Sequence, residues 1–359
     1  MANLRLRDRD AIITKQGLIF RVLGYSHPPS AFVCDAEYAS RKIFTSMDPR
    51  SPRGQDQKTF FKFYEDEGYK LIQKTYPQYL IKHEMLGKPV VGVCQKDVFK
   101  VRKPERKLQQ IIGKTRPDEL TEAMKSSLAI VLKATGLRSS DFGVFGSMLH
   151  DFHNPRFSDI DLVIYGKEHL AKLRNVLQAF YESADSPFEN EFETDRSIAG
   201  KKWRFRNLSP EEYLWHQRRK LIYALFKGSR TGRTIKTEFE PVKAWNEITN
   251  DYDAKTRIVP RGWSRILARV VDDDDSPFIP SIYGVEPLEI IGGPKQALEA
   301  RRVVSYLEEF RLQAKEGETV EIAGNLEEVK EPRGRFYQMI LTYCPRYYEQ
   351  ALKVDCCKS

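Results

Sequence analysis

Apolar and polar positions alternate in two rhythms along this chain of 359 residues. Up to about residue 104 the rhythm is short. Ala11-Ile12-Ile13-Thr14 and Leu18-Ile19-Phe20-Arg21-Val22-Leu23 flank Lys15-Gln16-Gly17 and predict a β-hairpin. Ala31-Phe32-Val33-Cys34 follows a His27-Pro28-Pro29-Ser30 turn, and further strands are expected between residues 79 and 101. A helix is expected from Glu65 to Thr75. Residues 45–58, rich in Ser, Pro, Arg and Gly, predict a mobile loop, and Lys100 to Lys107 a basic connector.

The rhythm then lengthens. Pro117-Asp118-Glu119-Leu120 opens a helix that Gly136 should end, with Pro and two acids in its first turn. Leu170, Leu173, Val176, Leu177 and Phe180 repeat at helical spacing. Ser209-Pro210-Glu211-Glu212 has the form of a capping box and predicts a helix to about Lys227. From about Thr249 the short rhythm returns. Strands are expected over Ser264 to Val271 and Pro277 to Ile291 about an Asp272-Asp273-Asp274-Asp275 turn. A short helix from Pro294 to Glu309 and more strands to about Tyr343 should follow. The reading is α+β, in three parts: a mostly β N-terminal domain (1–104), a mixed core (105–248) and a β-rich C-terminal domain (249–359).

Chemistry concentrates between Asp141 and Tyr165. An apolar strand, Phe142 to Phe145, runs into Gly146-Ser147, where glycine lets the backbone approach a phosphate closely. Ser158-Asp159-Ile160-Asp161 then leads into Leu162-Val163-Ile164. Asp159 and Asp161 are two apart on a strand and point the same way, with Ile160 and Leu162 toward a core. Two like charges on one strand face repel unless a cation lies between them. Paired carboxylates suit hard oxygen-preferring cations such as Mg²⁺.

This segment resembles the nucleotidyltransferase superfamily that includes DNA polymerase beta, the CCA-adding enzymes and the minimal nucleotidyltransferases. The likeness rests on Phe145-Gly146-Ser147, the gap, and Asp159-Ile160-Asp161-Leu162, and extends from about Leu120 to about Val242. Ser158-Asp159-Ile160-Asp161-Leu162 looks like the minimal branch, and the chain as a whole like a predicted archaeal nucleotidyltransferase group. The resemblance implies a polymerase beta-like core, a mixed sheet backed by helices. It implies transfer of a nucleoside monophosphate from an NTP to an acceptor hydroxyl with loss of pyrophosphate. Asp159 and Asp161 would hold Mg²⁺, two ions, with Mn²⁺ as a substitute, and Gly146 and Ser147 would clamp the phosphates.

The resemblance also implies a third acid on a later strand. Arg233 to Val242 alternates, with Ile235, Thr237 and Phe239 on one face and Lys236, Glu238 and Glu240 on the other. Glu238 is the first candidate, catalytic and metal-binding; Glu240 is the next, and Glu191 and Glu193 are an outside choice. Glu where polymerase relatives usually place Asp is a departure. Ser158 and Arg156, beside the aspartates, are candidates to touch nucleotide. His150 and His153 in the gap are expected to be exposed loop residues.

Charge adds a class of partner. The net charge is +9 with a pI near 9.1. It is uneven: roughly +11 over residues 1–140, about −6 over 141–199 and roughly +8 over 200–235. An acidic motif between basic stretches suits a polyanionic substrate, with RNA among the candidate acceptors. Lys201, Lys202, Arg204 and Arg206 interleave with Trp203 and Phe205, a pattern that suits a nucleic-acid groove and equally an edge strand. The alternative class is a non-catalytic nucleic-acid-binding or antitoxin-like module on the same fold. A nuclease using the same acids is a third reading, separable by pyrophosphate release. Five cysteines without metal spacing, Cys356-Cys357 at the tail among them, fit reduced thiols. MANLRLRDRD lacks a signal-peptide apolar core and no run reaches membrane-spanning length, so the expected setting is cytoplasmic, without membrane partners.

Overall fold

The computed structural model describes residues 4–54, 59–228, 230 and 232–355. The chain divides into two compact units. The first comprises Met1–His83, Lys88–Asn190 and Ile222–Tyr252, and the second Glu84–Gly87, Glu191–Leu221 and Asp253–Ser359. The expected N-terminal and central parts thus share one unit, and residues 191–221, expected in the core, belong to the other.

In the first unit, β1 (Ala11–Ile13), β2 (Leu18–Val22), β3 (Ala31–Ser40), β4 (Pro52–Arg53) and β5 (Phe60–Lys62) precede α1 (Glu67–Thr75), β6 (Leu80–His83), β7 (Lys88–Cys94) and β8 (Lys100–Arg102). They form one sheet in the order β4-β5-β3-β2-β1-β8, with β7 joined to both β3 and β6. The hairpin predicted around Gly17 is β1–β2, paired Ala11 to Arg21. The basic connector is instead β8, paired with β1, and a helix α2 (Pro104–Ile112), because Leu108 and Ile111 find a buried face. Residues 45–54 are tied down, Ser46 Oγ donating to Glu67 at 2.6 Å and Ser51 Oγ to Lys62 O at 2.6 Å. Residues 55–58 of the expected loop lie outside the described residues, as do Cys356 and Cys357.

α3 (Glu119–Thr135), β9 (Phe142–Val144), α4 (Gly146–Leu149), β10 (Ile160–Tyr165), α5 (Lys167–Glu182) and β11 (Phe188–Asn190) follow. α3 begins as expected: Asp118 accepts from Thr121 N at 3.0 Å. It ends at Gly136, whose φ of 69° is open to glycine. In the second unit, α6 (Pro210–Lys220) carries the predicted capping box but stops at Lys220, where Leu221 turns left-handed. The chain then returns to the first unit as β12 (Tyr223–Phe226), which pairs with β13 (Ile235–Val242). Cross-strand pairing overrides the helical reading there.

The second sheet of this unit runs β11-β12-β13-β10-β9, with β10 and β13 parallel and the rest antiparallel. It is the mixed sheet the motif called for, and α5 packs on β10 and β11. Leu162, Val163 and Ile164 are closed to solvent, so β10 is a central strand buried on both faces. Each such side chain contributes about 1.5–3 kcal/mol to stability.

The second unit adds β14 (Arg257–Asp275), β15 (Ser281–Gly292), β16 (Ala300–Ser305), β17 (Thr319–Glu331), β18 (Gly334–Leu341) and β19 (Ala351–Val354). Their pairings run β14-β15-β16-β18-β17 and close from β17 back to β14, with β19 on β17. The circuit encloses a core that includes Ile266, Tyr283, Val303, Phe310, Ile322, Met339 and Leu352. Two expectations fail. The four aspartates end β14 rather than forming the turn, Asp272 pairing with Gly284 and Asp275 with Ile282. The helix expected from Pro294 is a single 3-10 turn, Lys295–Glu299, before β16. Val303 and Val304 are β-branched and pair in parallel with Met339 and Ile340. Among the described residues no helix is long and apolar enough to cross a membrane.

Candidate active site

β9 and β10 bring the two halves of the motif together. Phe145 N donates to Asp161 O at 2.8 Å, so the Gly146 turn lies directly over the Asp161 strand position. Gly146 has φ 58°, and a Cβ there would collide with Asp161 Oδ2. Glycine is needed twice over, for the left-handed backbone and for the space the carboxylate takes. α4 is only one turn long. Ser147 O accepts the amides of His150 at 3.3 Å and Phe152 at 2.9 Å, which folds the gap back on itself.

The parallel register sets Asp161 opposite Glu238. Asp161 is half-buried and its carboxyl is pushed up to about 8, first by burial and then by the negative charges of Glu238, Asp159 and Glu240; Lys62 pulls the other way. Asp159 is exposed on one side. Its carboxyl is still raised, because the surrounding chain desolvates it more than Lys236 and Arg233 stabilise it. Asp161 thus lies in a crowd of negative charge, which an added cation would relieve. Carboxylate oxygens are the donors that a hard divalent ion prefers. Among the described residues, no three His, Cys, Asp or Glu side chains are drawn onto one point as ligands. One reason is visible: Lys236 Nζ lies 2.7 Å from Glu238 Oε1, on the same strand face.

The other candidates for the third acid are engaged elsewhere. Glu240 is buried and meets Arg9 Nη2 at 2.7 Å. Glu193 belongs to the second unit and lies 3.6 Å from Arg218. Ser158 is bound into its own loop: its Oγ accepts from Asn154 N at 2.9 Å, and its carbonyl accepts from Arg233 Nη2 at 2.8 Å. Arg156 is exposed, its amide donating to Asn154 Oδ1.

The gap histidines are not exposed loop residues. His150 is buried, 3.1 Å from Arg102 Nη1 and against Tyr38 and Phe152. Burial, then Arg102, lowers it to about 3, so it is neutral. His153 Nε2 lies 3.0 Å from Asp118 Oδ2, the cap of α3. Both hold the gap segment in place.

In the second unit, Lys201 and Lys202 are exposed, but the interleaved rings turn inward. Trp203 Nε1 donates to Leu208 O at 2.8 Å, and Phe205 packs on the core of the second unit. Arg204 lies over the Tyr348 ring and Arg206 pairs with Glu349.

Sequence reasoning missed Lys236, Arg233, Tyr38 and Lys62 at this site. Lys236 stood two residues from Glu238 on one strand face and was legible. Arg233 preceded the same strand. Tyr38 and Lys62 come from the N-terminal sheet and left no local signal.

Residues 128–225 match the family described as nucleotidyltransferase domain, a stretch that includes Gly146, Ser147, Asp159 and Asp161 and ends before Glu238. The chain is 28% identical over 344 residues to an uncharacterised protein of Methanocaldococcus jannaschii, which covers 94% of this chain and 95% of that protein. No solved structure matches the chain.

Proposed function

We propose that this chain, whose residues 128–225 match the nucleotidyltransferase domain family, transfers a nucleoside monophosphate from an NTP to an acceptor hydroxyl and releases pyrophosphate. The carrying observation is Asp161, desolvated beneath Gly146 and facing Glu238 across parallel strands. Asp159, Asp161 and Glu238 would hold the divalent cations, Mg²⁺ or Mn²⁺. Bound there, such cations would neutralise phosphate charge and make the acceptor hydroxyl more acidic. The chain's own residues do the positioning. Gly146 lets the backbone reach the phosphates, and the Ser147 hydroxyl donates to them. Ser158 and Arg156 line the edge of the same gap, and Arg233 holds that edge still through the Ser158 and Pro155 carbonyls. Rate enhancement comes from orientation and fixed charge.

RNA is the proposed acceptor class, from the basic balance of the chain. Lys201, Lys202, Arg204 and Arg206 support it by charge alone, since Trp203 and Phe205 are packed on their own unit. The proposed setting is the cytoplasm.

The test is α-labelled NTP with Mg²⁺ and total RNA, with wild type and Asp161→Asn side by side. Label transfer and pyrophosphate release in wild type alone support the transferase. One observation favours the second reading, a binding module without turnover: Glu238 is ion-paired with Lys236. RNA retention without label transfer would establish that reading instead.

A further inference from the structure

One face of the N-terminal sheet packs against the chain that follows the Gly146-Ser147 turn. β5 places Phe60 and Lys62 on one face, two residues apart. Lys62 is directly opposite Tyr38 in the β3–β5 register, so Tyr38 shares that face. Phe60 stacks on Phe152 with ring centroids 4.8 Å apart. The Tyr38 ring packs edge-on against His150 at 5.3 Å and Phe152 at 5.6 Å. His150 and Phe152 are the residues whose amides bind Ser147 O. The Lys62 face of β5 therefore meets the chain just after the Gly146-Ser147 turn.

A bulge adjusts β3 at this level. Ile19 pairs with Tyr38 but Phe20 with Ala36, leaving Glu37 as the extra residue. Bulges re-aim side chains and are frequent beside active sites. Among the described residues the Lys62 ammonium forms no ion pair; its aromatic neighbour is Tyr64, 6.0 Å from the ring centroid. A cation on the strand face that meets this turn, in no ion pair among the described residues, is available to a ligand.

We propose that Lys62 is a substrate-contacting residue that binds the terminal phosphates of the NTP, delivered from the N-terminal sheet. This rests on the nucleotidyltransferase reading. Were the acids to hold divalent cations, the negative charge that a nucleotide would bring to this turn is that of its β- and γ-phosphates. A lysine is suited to them, as a compact charge with three donors on a flexible stem.

The experiment is equilibrium binding of an α,β-methylene NTP and of the matching nucleoside monophosphate, in Mg²⁺, to wild type, Lys62→Ala and Lys62→Arg. Lys62→Ala should weaken the triphosphate by at least about tenfold, the scale of one charge-assisted hydrogen bond. Binding of the monophosphate should stay within about twofold. Lys62→Arg should recover part of the loss, and the melting temperature should not move. Lys62→Ala binding the triphosphate as wild type does would overturn the inference and leave the transferase to its own assay. Wild type that binds the triphosphate without label transfer would sink the transferase reading, with Lys62 still judged by the same binding ratio. Wild type that binds neither nucleotide overturns both.

Discussion

Arg9 Nη2 lies 2.7 Å from Glu240 Oε2, and the two residues are only 2% and 4% exposed. Arg9 also lies over the Phe145 ring at 5.0 Å. The pair joins the N-terminal segment to β13 two residues beyond Glu238, beside the turn that carries Gly146. Its neighbours repeat the device: Lys103 Nζ meets Asp10 at 3.1 Å, and Arg7 stacks on Tyr165 and lies over Trp245. Four consecutive charged residues, Arg7 to Asp10, are buried in this way.

Breaking such a pair from one side strands a buried charge. Arg9→Met should cost about 3–5 kcal/mol in urea unfolding. The double variant Arg9→Met with Glu240→Leu should recover most of that loss. A double variant as unstable as the single one would mean that the pair does not act as a unit.

Asp161 gives a stability dependence of definite sign. Its folded value of about 8 is above the ordinary 3.8. The contribution is therefore complete below about pH 4 and is lost as pH rises through about 8. In metal-free protein, the melting temperature of wild type relative to Asp161→Asn should fall across that window. Added Mg²⁺ at pH 8 should reverse the trend. Parallel curves for the two proteins would contradict the crowding of negative charge at this carboxylate.

Gly146→Ala tests the cradle. The new methyl would collide with Asp161 Oδ2 on a backbone at φ 58°. Displacing the carboxylate by an ångström should lower kcat by about a hundredfold. The far-ultraviolet circular dichroism should be unchanged, since neither strand is broken. Near-normal kcat would show that Asp161 does not act from this position.

His216 sets an acid limit in the second unit. Its Nδ1 lies 2.9 Å from Gln313 O, and Val354 N donates to Nε2 at 3.3 Å, so the ring is neutral with its proton on Nδ1. Burial, then Lys220, lowers it from 6.5 to about 3. A lowered value contributes stability above about pH 6.5 that is lost as pH falls toward 3. His216→Gln should be less stable at pH 7, and its stability should fall less steeply below pH 6. An unchanged slope would mean that His216 is not the group taking up the proton.

Legibility differed by element. The hairpin β1–β2, the start of α3 at Asp118 and its end at Gly136 were readable, because turn and cap chemistry is written within a few residues. So was the alternation of β13, with Ile235, Thr237 and Phe239 buried on one side. β12 and β16 were misread as helix. Each is a strand because a partner outside its own segment pairs with it, β13 with β12 and β18 with β16, and local periodicity carries no record of that partner. His150 was misread for the same reason: its burial depends on Tyr38, more than a hundred positions earlier in the chain.

At the site, residue types and spacing alone determined the motif: a glycine elbow, two aspartates at strand period, and an alternating strand offering Glu238. Those are short-range facts of backbone geometry. Tertiary structure alone decided which acid stands opposite Asp161, that Arg9 takes Glu240 out of contention, and that Lys62 and Tyr38 reach the gap from the N-terminal sheet. Such choices depend on strand register and on which charges share a buried space, and both are properties of the folded chain.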